Sequence, residues 1–315
     1  MMGDAAGPGG SPWLFHVGYV KTATTFLQRS VFGRAECGFG LPGGRTHRGY
    51  LVGHIVMTDG YAIDPHMVRD AFRAAAAPLT QQGLTPVWSE ETLLGDPGSR
   101  RYDGFANAIK LQRCFPGARI LITIREQRAM ALSVYKEYLK GSGTQPLEGF
   151  IGRGDEAVGY GPILSLDFLA YDRAVKFYRD AFGTENVHVL PYELLRHDRT
   201  AYAERLSRFL ECPSLTLDAA TSFNAALGTT ALLAKRWFNR FLVRSPLARD
   251  KGAIIGLVDR TFRGVDRMLP TILDKRFERR LRRAVATRYD GMFAESNRAL
   301  AEMTGLPLSR LGYQT

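Results

Sequence analysis

The chain reads as an α/β protein: a three-layer sandwich around a central parallel sheet, with a helical C-terminal extension. Three observations predict this. Four short apolar or β-branched runs, at 13–18, 86–89, 119–124 and 186–191, have the character of strands buried on both faces. Helical patterns lie between them, and that alternation implies parallel pairing through crossovers. After Pro213 the strand signal ends and helical periodicity alone continues.

The first strand runs into Gly18-Tyr-Val-Lys21-Thr22-Ala23-Thr24-Thr25-Phe26, with a helix expected over 24–32. A glycine turn, a lysine and hydroxyl residues at a helix start make a phosphate cradle. The helix start supplies unpaired N–H groups and the positive end of its dipole. Lys21 adds a point charge, and Thr22, Thr24 and Thr25 add hydroxyl donors. A Walker A loop needs Gly-x-x-x-x-Gly-Lys-Ser/Thr, and Val20 stands where its second glycine belongs. The loop therefore suits a phosphate-bearing ligand other than an ordinary nucleoside triphosphate.

Further helices are expected at 65–77, 102–114, 127–140, 163–182 and 201–210, then at 232–242, 254–269 and 275–303. Cys114-Phe-Pro-Gly and Phe182-Gly read as helix stops ahead of the next strand. Two long loops remain, 33–53 and 141–162. The second is rich in glycine, which fits either a lid or disorder. Residues 1–12 are small, Gly/Pro-rich and nearly uncharged, and read as a disordered tail without signal-peptide character. Residues 13–315 read as one domain, with 213–315 its helical extension.

The chain has 315 residues, 45% hydrophobic and 23% charged, as in globular proteins. No apolar run reaches the roughly 18 residues that span a bilayer. Cys37, Cys114 and Cys212 are far apart and form no C-x-x-C pair. This points to a reducing, cytoplasmic compartment and away from a disulfide framework or thiolate zinc site. No histidine pair has metal-ligand spacing with a carboxylate, so no metal is expected. The formal charge of +11 is localised. Of 42 basic and 31 acidic residues, 16 and 5 lie between Lys235 and Arg288, so the remaining 26 of each sign cancel. That stretch attracts anions, or is a set of solvated helical faces.

In open parallel sheets, ligands bind beyond the carboxyl ends of the strands. Here those ends deliver Lys21 with its threonines, Ser89-Glu90-Glu91, Arg125, and Pro191-Tyr192-Glu193. A lysine, a carboxylate pair, an arginine and an aromatic thus share one rim.

These segments resemble sulfotransferases that use 3′-phosphoadenosine 5′-phosphosulfate (PAPS), in particular bacterial members. Residues 18–26 are similar to the family's 5′-phosphosulfate loop, usually Tyr-Pro-Lys-Ser/Thr-Gly-Thr-Thr and an aromatic. Arg125 with Ser133 eight positions on resembles its 3′-phosphate site. Leu190-Pro-Tyr192-Glu193-Leu-Leu resembles a turn near the adenine, and residues 295–313 resemble the family's bacterial C-terminus. Val20 and Ala23 replace the usual proline and glycine, and the basic-Gly-x-x-Gly signature of cytosolic members is absent. The resemblance implies a P-loop-like sulfotransferase fold and an enzyme moving a sulfuryl group from PAPS, as co-substrate, to an acceptor hydroxyl or amine.

On that resemblance, Lys21 contacts the bridging oxygen and stabilises the departing phosphate. Thr22, Ala23, Thr24 and Thr25 hold the 5′ side, and Arg125 and Ser133 the 3′-phosphate. Phe26 flanks the nucleotide, or packs into the core. Tyr192 lies near the adenine, or is structural. Glu90 is the candidate general base with Glu91 its neighbour. Ser89 as a helix cap with both glutamates in the first turn is the plainer alternative. His47, His54 and His66 are other candidate bases, while His16, inside a strand, reads as a core histidine.

The acceptor is a small molecule, a glycan or a lipid-linked group. Residues 235–288, with Trp237, Phe238, Phe241 and Leu242 among the charges, resemble interfacial helices and suggest an anionic membrane surface as partner. No nucleic-acid motif is present. Two rival readings stay open at this stage: a nucleotide-dependent kinase, and a basic membrane- or polyanion-binding protein on a sulfotransferase-like fold.

Overall fold

The computed structural model describes residues 13–44, 47–217, 227–241 and 271–315, with positions 7, 258, 260–264 and 266. The expected tail at 1–12, apart from position 7, and much of the helix expected at 254–269 lie outside the described residues. Five strands form one parallel sheet: β1 (Leu14–His16), β2 (Phe39–Gly40), β3 (Thr85–Ser89), β4 (Arg119–Ile124) and β5 (Val187–Pro191). Their order is β2-β3-β1-β4-β5. In register, Leu14 sits between Val87 of β3 and Arg119 of β4. From β1 the chain leaves toward β2 at one edge, and from β4 toward β5 at the other. The crevice above β1 and β4 is therefore a place where a ligand can enter.

Side-chain alternation along the strands builds the three layers. Phe15, Trp88, Ile120 and Ile122 face one core, with Trp13, Phe72, Phe115 and Tyr171. Leu14, Val87 and Leu121 face the other, with Phe32, Tyr202 and Leu206. The first core is dense in rings: Phe72 lies 4.1 Å from Trp88 and Trp13 4.7 Å from Phe115, centroid to centroid.

The helices are α1 (Thr24–Leu27), α2 (His47–Leu51), α3 (Pro65–Thr80), α4 (Gly104–Cys114), α5 (Gln127–Lys140), α6 (Leu147–Ile151) and α7 (Leu166–Leu169). They continue with α8 (Tyr171–Phe182), α9 (Tyr192–His197), α10 (Arg199–Leu210), α11 (Thr229–Asn239), α12 (Thr271–Arg288) and α13 (Ala294–Thr304). Beyond α1, residues Gln28–Phe32 continue in a wider, π-type winding. Among the described residues after Pro213 there is no strand.

Several boundaries differ from the sequence reading. The loop expected at 33–53 contains edge strand β2 and helix α2, and the one at 141–162 contains α6. A helix expected at 163–182 breaks at Ala170, which leaves the helical region with ψ 78. Residues 275–303 form two helices because Gly291 turns the chain at φ 68. Among the described residues, no helix is long and apolar enough to cross a membrane.

Candidate functional site

Beneath the loop after β1, buried polar side chains form a continuous hydrogen-bonded line across three strands. Gln28 Nε2 lies 3.1 Å from Ser89 Oγ, which lies 2.8 Å from His16 Nδ1. His16 Nε2 is 3.1 Å from Thr123 Oγ1, and Thr123 Oγ1 is 2.6 Å from Thr22 Oγ1. The Thr22 hydroxyl meets the Tyr19 carbonyl. The two ends fix the direction, because an amide N–H only donates and a carbonyl only accepts. Ser89 therefore donates to His16 Nδ1, His16 donates from Nε2, and Thr123 donates to Thr22. His16 is neutral in this arrangement. Burial, partly offset by Glu90, pushes its pKa down to about 3.

This line fixes the loop from below. Gly18 crosses directly above it, and a Cβ there would lie 1.9 Å from Thr123 Oγ1 and 2.7 Å from His16 Nε2. Further on, Lys21 and Ala23 both take positive φ, 63 and 71. Such turns expose successive backbone N–H groups to one side, as anion-binding nests do. The alanine replacing the expected glycine thus sits in the left-handed region, with the steric cost a Cβ carries there.

Arg125 follows β4 and comes to the same loop. Its Nη1 donates to the Lys21 carbonyl at 3.1 Å. Its guanidinium lies over the Tyr192 ring, 4.8 Å from the centroid. Arg125 pairs with neither Glu126 nor Glu137. Glu126 caps α5 through the N–H groups of Arg128 and Ala129 and pairs with Arg128. Glu137 instead accepts from Lys21 Nζ at 3.3 Å. Burial raises the Glu137 pKa, but Lys21 and Lys140 outweigh it and hold the carboxyl below its usual range. Ser133 is half-buried on α5, one turn before Glu137. The pairing of Glu137 with Lys21, 116 positions away in the chain, is a contact that sequence reasoning missed.

The C-terminal tail braces this corner. Tyr171 donates to the Arg125 carbonyl at 2.7 Å. Glu193 accepts from the Glu126 N–H at 3.0 Å and from the Tyr313 hydroxyl at 2.8 Å. Gln127 and Asn297 exchange two side-chain hydrogen bonds, and Arg128 donates to the Gly312 carbonyl.

The other predicted positions are placed as follows. Thr22 is fully buried, with its hydroxyl committed to the line beneath the loop rather than to the mouth. Thr25 and Lys21 are exposed. Phe26 is buried in the second core. Two polar atoms at the site are buried without a well-formed hydrogen bond: the Arg125 Nε, and the Thr24 hydroxyl, which lies near Glu91.

Glu90 was expected as the general base with Ser89 as the alternative cap; its surroundings give it a different part. It is fully buried, and Arg48 grips it with a two-pronged guanidinium at 2.5 and 2.9 Å. The backbone N–H and hydroxyl of Thr92 also donate to it, so Glu90, not Ser89, caps the turn Glu91–Leu94. Burial raises its pKa, but Arg48 and Thr92 outweigh that and lower it. Glu91, half-buried beside Thr24, is shifted the other way: burial raises its pKa despite opposition from Arg48 and Thr24. Among the described residues, no three His, Cys, Asp or Glu side chains cluster as a metal site requires.

No family model matches the chain, and no curated protein matches it by sequence. Among solved structures it is similar to a sulfotransferase from Alicyclobacillus acidocaldarius, at 20% identity over 68% of this chain and 86% of that one, TM-score 0.47. It is also similar to the sulfotransferase domain of the curacin biosynthetic pathway, at 11% identity over 82% and 98% of the two chains, TM-score 0.39. A third is the sulfotransferase domain of the Synechococcus PCC 7002 olefin synthase, at 14% identity over 82% and 96%, TM-score 0.36. Likeness at this level bears on neither activity nor residue roles, which rest on the geometry above.

Two outcomes follow. Gly18→Ala loses about 3 kcal/mol, because its methyl overpacks the line and strands buried donors. Adding Thr123→Ala removes the atom that the methyl meets, so thermal melts show the pair costing less than the sum of the singles. Arg48→Ala leaves a buried carboxylate without its cation and also costs about 3 kcal/mol near pH 7. Glu90 has a lowered folded pKa, so its stabilisation is full above the unfolded value of about 4.5 and is lost as pH falls through the folded one. Denaturant titrations therefore show the gap between variant and wild type closing in acid.

Proposed function

We propose that the chain transfers a sulfuryl group from PAPS to an acceptor hydroxyl or amine, releasing adenosine 3′,5′-bisphosphate. One observation carries the reading. The loop after β1, with its nest-forming turn, and the arginine after β4 meet at 3.1 Å, and Arg125 Nε is a buried donor without an acceptor. An anion with several phosphate oxygens satisfies such donors.

When bound, PAPS supplies the activated sulfuryl group. The protein contributes positioning and charge stabilisation, as in phosphoryl transfer. Lys21 supplies positive charge to the leaving phosphate. Its pair with Glu137 is partly exposed, and such pairs contribute about 0–1 kcal/mol, so the ammonium exchanges partners at little cost. Arg125 holds the 3′-phosphate with its fork, backed by the Tyr192 ring, and Ser133 donates from α5. Thr22 contributes through its backbone N–H, since its hydroxyl is committed elsewhere.

We assign the general base to Glu91 rather than Glu90. A base must be free to take a proton, and Glu90 already accepts from Arg48 and Thr92 with a lowered pKa. Glu91 is adjacent to the loop through Thr24 and has a raised pKa, which makes it the stronger base.

Calorimetry with adenosine 3′,5′-bisphosphate tests the donor site. Wild type binds, while Arg125→Ala and Lys21→Ala each weaken binding about tenfold or more through loss of charge-assisted hydrogen bonds. No affinity in the wild type would overturn the assignment. Turnover of PAPS that persists under a chelator, with no turnover of ATP, separates this activity from a kinase. Glu91→Gln lowers kcat roughly 10²–10⁴-fold and leaves bisphosphate affinity nearly unchanged. The wild-type rate rises with pH through the Glu91 pKa, a midpoint above the ordinary 4.5, and the variant lacks that limb.

A further inference from the structure

Helices α11 and α12 pack against α5. They carry a surface that the proposed chemistry does not use. The acidic side chains of α12, and Asp266 ahead of it, are engaged by neighbouring segments. Asp274 accepts from the Thr230 N–H at 2.8 Å, and Asp266 from the Gly228 N–H at 3.0 Å. Glu278 is bonded to Lys136 and Thr229, and its other oxygen pairs with Arg282. Each acid is spent on neighbouring helices.

The bases point outward. Arg276, Arg279, Arg280 and Arg283 are all exposed and follow the i, i+3, i+4, i+7 spacing of one helical face. Among the described residues, α12 is thereby left with an exposed face of one sign. Among the described residues, exposed hydrophobic side chains accompany it, with Phe238 meeting the Phe262 ring at 6.0 Å. On α11 and the turn after it, Trp237, Phe238 and Phe241 are 56%, 44% and 82% exposed, on the face opposite buried Leu232 and Asn239. At the start of α12, Ile272 is 77% exposed. Arg240 lies 4.3 Å from the Trp237 ring centroid, a basic and aromatic pairing.

We propose that this surface docks the protein on anionic lipid bilayers. Exposed arginines match a layer of phosphate headgroups, and phenyl and aliphatic side chains beside them match the boundary with the acyl chains. Phe241 and Ile272 have no polar handle, so they gain from hydrocarbon and little from a polynucleotide backbone. Since no described helix is long and apolar enough to cross a membrane, the contact is interfacial. The docking face is tied to the proposed site through α5. Lys235 donates to the Lys140 carbonyl at 2.7 Å, and Asn239 donates to the Leu139 and Gly143 carbonyls at 3.0 and 2.9 Å. An acceptor presented at the bilayer is the corollary, and it rests on the sulfuryl-transfer reading; the docking does not.

The test is co-sedimentation of the full chain with phosphatidylcholine vesicles, with and without phosphatidylglycerol. Binding requires the anionic lipid and falls with added salt. Trp13 and Trp88 are buried at 2% and 0% exposure, so a blue shift in emission on binding reports Trp237. Combined Arg276→Gln, Arg279→Gln, Arg280→Gln and Arg283→Gln weakens binding about 100-fold or more. Phe241→Ser, which keeps all charges, weakens it several-fold. Lys21→Ala binds vesicles like wild type while losing bisphosphate affinity, so failure of docking and failure of the donor site are read separately. Equal binding to neutral vesicles, undiminished binding by the arginine variant, or tighter binding to duplex DNA at the same salt would each overturn the proposal.

Discussion

The site depends on one buried line of hydrogen bonds, from Gln28 through Ser89, His16, Thr123 and Thr22 to the Tyr19 carbonyl. Each group in it is buried or nearly so, and an unmet partner would cost about 1–3 kcal/mol. Only one direction of donation satisfies every member. That direction requires a neutral histidine with its proton on Nε2, and burial depresses its pKa accordingly. The consequence is positional. Strands β1, β3 and β4 are locked together at their carboxyl ends, and the Tyr19 carbonyl is held where the chain must turn. The strained backbone at Lys21 and Ala23 persists because what lies beneath it cannot adjust.

Much of this was legible in the sequence because it was local. Helix α5 spans Gln127–Lys140 as its pattern predicts, and β4 spans Arg119–Ile124. A strand end followed by a helix start is written in consecutive residues. The meeting of the Lys21 loop with Arg125 followed from parallel-sheet topology, which needs no knowledge of side-chain contacts. His16 was also readable as a core histidine, though not what it bonds. Strand β2 was not legible, since two residues carry no alternation. Arg48 with Glu90 and Lys21 with Glu137 are ion pairs between distant segments, and no local spacing encodes them. Glu90 took the capping part expected of Ser89 for the same reason. Either could cap a turn, and the choice was made by His16, Gln28 and Arg48, all far away in the chain.

Rigidity and freedom are divided sharply between neighbouring acids. Glu90 is dry and held by four hydrogen bonds, so it fixes the strand end to α2. Glu137 is half-exposed and holds Lys21 by one contact. A buried carboxylate is costly to strip of its several donors, whereas an exposed pair exchanges with water or ligand at little cost. The same charge chemistry thus serves as framework in one place and as a parking position in the other. Glu91 lies between these extremes: near enough to the loop to feel its charges, buried enough to bind a proton more readily than a surface glutamate.

Helix α5 joins these parts. Its first turn is capped by Glu126 and braced by the C-terminal tail through Gln127 and Arg128. Its middle carries Glu137 to Lys21. Its last carbonyls, which no intrahelical N–H can reach, are taken by Lys235 and Asn239 of α11. A helix fixed at both ends transmits position rather than absorbing it. Any force that fixes α11 and α12 against an external surface therefore also fixes the orientation of the Lys21 and Arg125 corner relative to that surface. The segregation of acids inward and bases outward on α12 has the same basis. Acids were drawn inward by N–H groups at the start of α11 and by Lys136 on α5, and Arg276, Arg279, Arg280 and Arg283 extend to solvent.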